Sequence, residues 1–171
     1  MEANAGVAPA VVVDHDGALQ KQLTGGSGWF FWIAALSLVN TAFAVMEGDR
    51  TFLVGLAVTQ VADAFAGLAV KDGAPEALRW AAVAFDTVVA GLFAGAGLLG
   101  RRRVKWAYLA GMALYVLDAV VCGVFELWSH LGFHALALFF LWRGFSALRQ
   151  LAPAAPERVA VSPGRPNPLV R

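Results

Sequence analysis

The sequence predicts an all-α protein, a bundle of helices embedded in a membrane. Three observations carry this reading. Hydrophobic residues make up 59% of the 171 residues and charged residues only 15%, against about 45–50% and about 25% in a typical soluble domain. The apolar residues are gathered into five runs separated by short polar links. All six tryptophans stand near the ends of those runs, where amphipathic rings settle at a membrane–water interface. A soluble fold of this length could not bury so much apolar surface, because a large share of its residues must face water. A bilayer accepts that surface directly.

In chain order, residues 1–28 read as a flexible leader. Their longest apolar stretch, Val7 to Val13, is too short to span, and a TGGSG sequence at 24–28 suggests looseness. No positive region precedes the apolar stretch, so a cleavable signal peptide is not indicated. The spans are expected at 29–46, 51–70, 80–99, 104–126 and 128–148; four fit the roughly 20 residues a crossing helix needs, and the fifth is interrupted near its end by Arg143. The whole bundle is assigned to residues 29–149. Residues 150–171 hold five of the seven prolines and read as a disordered tail.

Lys and Arg in short loops set orientation. Arg101, Arg102, Arg103 and Lys105 put the third turn on the cytoplasmic side of a plasma or inner membrane. Five crossings then predict an N-terminus outside and a C-terminus inside. The same four residues are expected to meet anionic lipid headgroups. A net charge of +1 gives no case for a nucleic-acid partner. The small size suits a homo- or hetero-oligomer.

Function is expected at three acidic residues inside apolar runs: Asp63, Asp86 and Asp118. A charge at the centre of a spanning helix costs about 2.5–3.5 kcal/mol on insertion scales, and such residues usually face the bundle interior and mark sites or pathways. With a rise of about 1.5 Å per residue, the three fall at similar depth. His134 can reach the same depth, with His130 one turn away on its face. Gln60 precedes Asp63 by about one turn. Tyr115 and Cys122 share the face of Asp118, and Glu126 lies two turns beyond. Ser37, Asn40 and Thr41 form a polar stripe on the first helix. Gly91 and Gly95, at small-x-x-x-small spacing, suggest close helix packing.

Carboxylates in an apolar layer suit proton or cation handling, which makes a transport-type protein the leading expectation. An intramembrane divalent-metal site on Asp63, Asp86, Asp118 and His134 is an alternative, since Asp and His ligate such ions. A hydrolase is less expected. His130-x-x-x-His134 lacks the glutamate of a zinc-protease helix, and no nucleophile motif is present. A structural or accessory subunit is the third reading. No motif names a cofactor.

Overall fold

A computed structural model describes residues 15–47 and 55–151. Five helices follow in order: α1 (His15–Glu47), α2 (Ala57–Lys71), α3 (Ala77–Arg101), α4 (Lys105–Val124) and α5 (Trp128–Gln150). The described residues contain no strand. Four of the helices, α1, α3, α4 and α5, are long and apolar enough to cross a membrane. This is a multi-pass integral membrane protein.

The crossing helices turn much of their surface outward. Between 28% and 39% of their most apolar windows is buried inside the protein. Val88, Leu92, Val120, Val124 and Phe139 are all exposed, as lipid-facing residues should be. Inside, Phe30 meets the Tyr108 ring edge-on at 5.0 Å. The Tyr108 hydroxyl donates to the Leu141 carbonyl at 3.0 Å. Helices in lipid gain little from apolar burial as such, so close van der Waals approach and hydrogen bonds between helices hold them together.

Four expectations are corrected. The leader is not loose throughout: residues 15–28 are helical and extend α1 toward the basic turn. Leu19 and Leu23 are buried in the core. The glycines of 24–28 serve close approach. A Cβ on Gly26 would stand 2.5 Å from the Gly144 Cα of α5, so small residues at both positions let the two backbones touch. Residues 1–14 lie outside the described part, as do residues 152–171, which contain most of the expected tail. Gln150 ends α5, and Leu151 is buried against the core.

The second correction concerns the span expected at 51–70. Helix α2 has 15 residues, short of the roughly 20 a crossing requires. Its first turn lies inside the bundle, beside Asp118 of α4 and Asn40 of α1. Its C-terminal end leads through the Asp72–Pro75 turn into α3. Helix α3 then runs to Arg101, so α2 leaves the bundle on the side away from the basic turn. Asn40 stands roughly 10 Å before the end of α1 at a helical rise of about 1.5 Å per residue. Helix α2 is therefore a half-helix that starts within the protein.

The third correction follows. Four crossings bring the N-terminal end of α1 and the C-terminal end of α5 to one face, contrary to the opposite-side expectation. Gln22 donates to the Arg143 carbonyl at 2.9 Å, and Arg103 donates to Gln20 at 2.8 Å. These bonds place both ends beside the basic turn.

The turns after α2, α3 and α4 share one hydrogen-bond pattern. Ala74, Val104 and Leu127 each donate to the carbonyl five residues back, at 2.9, 3.0 and 2.9 Å. The residue before each has a positive φ: Gly73 at 99°, Arg103 at 63° and Glu126 at 56°. This is the Schellman closure, which satisfies otherwise unpaired end carbonyls. Gly91 and Gly95 do not make the expected close packing among the described residues, where a Cβ at either would meet nothing within 4 Å. Gly97, Gly100 and Gly111 are the close-approach glycines of α3 and α4.

Candidate functional site

Two polar centres lie in the bundle, and α2 touches both. The first grows from the start of α2. Its N-cap residue is Leu56, which has no side-chain oxygen to offer the first amides. Asp118 supplies one from another helix. Its Oδ2 accepts from the Ala57 amide at 2.9 Å, and its Oδ1 accepts from the Val58 amide at 2.8 Å. A helix N-terminus carries partial positive charge and unpaired N–H groups, so a carboxylate fits there. Half-helix ends inside membranes provide such places.

His134 completes this centre. Its Nε2 is 2.8 Å from Asp118 Oδ2, and its Nδ1 is 2.8 Å from the His130 carbonyl. A carbonyl only accepts, so Nδ1 carries a proton. The second bond then needs a proton on Nε2 or on Asp118. Either arrangement leaves the pair with no net charge. Tyr115 stacks on the imidazole, with ring centroids 4.4 Å apart and planes 11° apart. Asp118, His134, Tyr115 and Cys122 are all buried. Tyr115 Oη has no hydrogen-bond partner among the described residues.

Asp118, Cys122 and His134 bring three metal-ligand atom types within 4.8 Å of one another. The finer geometry does not fit a shared ion. Cys122 Sγ is nearly equidistant from the two ring nitrogens, at 3.8 and 4.0 Å. It therefore lies off the lone-pair axis of either nitrogen. An ion on Nε2 would stand well beyond a metal–sulfur bond of about 2.3 Å from it. The carboxylate and both ring nitrogens are also already satisfied by the protein itself.

The second centre joins α1, α2 and α3. Asp86 is fully buried, and Thr41 Oγ1 donates to its Oδ2 at 2.7 Å. Asp63, half-buried on α2, interacts directly with Asp86. Beyond that contact, one oxygen of each, Asp63 Oδ2 and Asp86 Oδ1, is buried with no other hydrogen-bond partner among the described residues. Thr41 Oγ1 also lies 3.2 Å from the Ser37 carbonyl. One hydroxyl proton cannot serve both acceptors fully. It points to Asp86 when that carboxyl is ionised. It can turn to Ser37 when Asp86 holds a proton on Oδ2.

Gln60 and Thr59 connect the two centres along α2. Gln60 Nε2 donates to His130 Nε2 at 3.2 Å. That puts the proton of a neutral His130 on Nδ1, a buried atom without a partner among the described residues. Thr59 donates to the Leu56 carbonyl at 2.8 Å, so the 3.2 Å contact with Ser37 is a donation from Ser37. Asn40 is buried beside Gly55 and Gln60.

Of the residues singled out from sequence, the structure pairs Asp63 with Asp86 and ties Asp118 to His134. Gln60, Asn40, Tyr115 and His130 line the same interior. Glu126 is apart from them, exposed in the α4–α5 turn. Sequence reasoning missed the Ala57 and Val58 amides and the part played by Thr41 at Asp86. The signals were a glycine at 55 followed by a helix start with no capping side chain, and Thr41 in the polar stripe of α1.

These features define a multi-pass membrane protein with a polar centre enclosed by its helices. Comparison with family models, curated proteins and solved structures finds no match for the chain.

Proposed function

We propose that the protein handles protons or small cations through the Asp63–Asp86 centre, as a transport-type membrane protein. One observation carries the reading. Two carboxyl groups meet inside the bundle, withdrawn from water, and beyond that contact each has a buried oxygen with no other hydrogen-bond partner among the described residues. Two like charges so placed are strongly disfavoured unless one positive charge sits with them. A shared proton or a bound cation supplies it. Exchange then balances: one proton leaves the pair as one monovalent cation enters. The Thr41 hydroxyl follows this change by turning between Ser37 and Asp86.

Helix α2 supports coupling between the centres. It carries Asp63, and its first two amides are held by Asp118. A shift of Asp118 off those amides would alter the hold on the half-helix and so the approach of Asp63 to Asp86. The divalent-metal and hydrolase alternative called for Asp63, Asp86, Asp118 and His134 around one ion; it is less well supported, because among the described residues the ligand types that cluster are Asp118, Cys122 and His134, whose geometry does not suit a shared ion. By the distribution of Lys and Arg, we place the basic turn, and with it both described ends of the bundle, on the cytoplasmic side. Anionic lipids at that face and assembly into oligomers belong to the same proposal.

The test is proton release from weakly buffered, detergent-purified protein on addition of Li⁺, Na⁺, K⁺, Mg²⁺ or Ca²⁺. At least one ion should displace protons from the native protein and none from Asp86→Asn. No release with any ion, together with no proton flux in liposomes, would remove the reading.

A further inference from the structure

An open cleft of about 390 Å³ lies between α1 and α3, lined by Gly28, Phe31, Trp32, Ala35 and Arg101. Its two ends differ chemically. At the basic face stands Arg101, beside Arg102, Arg103 and Lys105 in sequence. Its guanidinium lies over the Phe31 ring, 4.7 Å from the centroid. Going into the membrane along α1, the lining becomes Trp32 and Ala35. Trp32 is 64% exposed although it is large and apolar. The cleft floor is open at Gly28, where an added Cβ would meet nothing within 4 Å.

We infer that this cleft holds one anionic phospholipid, with its phosphate on Arg101 and an acyl chain along Phe31, Trp32 and Ala35. The inference rests on the membrane reading of the fold and not on ion handling. Charge complementarity selects the occupant. A guanidinium is suited to phosphate oxygens, which it can contact through two N–H groups. It stands at headgroup level, where the basic turn meets the interface. An uncharged apolar partner would leave Arg101 unused, and a soluble anion would leave the apolar part of the cleft, at Phe31, Trp32 and Ala35, unused. Trp32 suits the boundary, because its ring accepts both environments. This narrows a general attraction of the basic face for anionic lipid to one position.

The experiment is native mass spectrometry of the detergent-purified full chain with phosphatidylglycerol or phosphatidylcholine. The native protein should retain one phosphatidylglycerol in preference to phosphatidylcholine. Arg101→Gln should weaken that retention by about fivefold, the effect of one basic residue at an anionic surface. Gly28→Leu adds bulk to the cleft lining at a position where a Cβ meets no protein atom within 4 Å, and should abolish it. Arg102→Gln removes the same charge outside the cleft, and Gly25→Leu adds the same bulk to another open position of α1. Both should retain the lipid. Equal weakening by Arg101→Gln and Arg102→Gln would overturn the site in favour of diffuse charge. Retention by Gly28→Leu, or displacement by inorganic phosphate, would also overturn it. A chain that stays monodisperse without detergent would instead remove the membrane reading beneath it.

Discussion

Asp118 on α4 and His134 on α5 meet at 2.8 Å through Oδ2 and Nε2, while the same carboxylate holds the first two amides of α2. One side chain thus caps a half-helix and joins a buried ion or proton pair. Removing it strands an imidazole and two amides together. Asp118→Ala should lower stability by about 3 kcal/mol, the scale for breaking a buried pair. Asp118→Asn keeps an oxygen for one amide and should cost about 1 kcal/mol, as a weakened helix cap does. Thermal unfolding in detergent measures both. An alanine variant as stable as the native protein would show that Asp118 does not hold α2.

Thr41 separates hydroxyl chemistry from shape at the second centre. Thr41→Val keeps the volume but leaves Asp86 Oδ2 without its 2.7 Å donor. The expected cost is about 1–3 kcal/mol, that of an unsatisfied buried acceptor. Thr41→Ser retains the hydroxyl and should recover most of the loss. The same unfolding assay, run beside proton release, compares the two. Equal behaviour of Val and Ser would mean that the hydroxyl plays no part.

The glycines of α1 make opposite predictions one residue apart. Gly26→Ala places a methyl group 2.5 Å from the Gly144 Cα and 2.8 Å from Tyr108 Oη. Overpacking of this kind should cost about 1–3 kcal/mol. Gly25→Ala meets nothing within 4 Å and should gain up to about 1 kcal/mol from helix propensity. Circular dichroism melts of the two variants should move in opposite directions. A shift of the same sign in both would mean that α1 does not pack on α5 as described.

Glu126 tests the turn chemistry. It holds a φ of 56° with a Cβ, a left-handed conformation that costs a non-glycine residue roughly 1–2 kcal/mol. Glu126→Gly should therefore stabilise by up to about 1 kcal/mol. Proton release should not change, because Glu126 is outside both centres. Loss of proton release in this variant would return Glu126 to the site.

The fold class was legible because lipid imposes composition and length directly. Runs near 20 residues with tryptophans at their ends admit few other readings. The candidate acids were legible for the same reason, since a charge inside such a run stands out. What the runs could not show was depth of entry. Residues 51–70 have the length of a span, but α2 begins only at Ala57, held there by Asp118 from a helix about 60 residues on in the chain. A cap supplied across that distance leaves no local signal. The 24–28 stretch misled for a related reason: glycine marks flexibility and close packing alike, and only Gly144 on α5 decides between them. Counting α2 as a crossing then set the two described ends of the bundle on opposite faces, where the structure has them on one.

The central claim is that Asp63 and Asp86 form the centre through which protons or cations pass. The most direct measurement is proton flux in liposomes containing the purified protein, read by an enclosed pH-sensitive dye after a cation gradient is imposed. Asp63→Asn, Asp86→Asn and Asp72→Asn would be compared with the native chain, Asp72 being an exposed turn residue. The account predicts flux in the native protein and in Asp72→Asn, and its loss in both Asp63→Asn and Asp86→Asn. Equal flux in all four proteins, or none in the native protein with any cation, would contradict it.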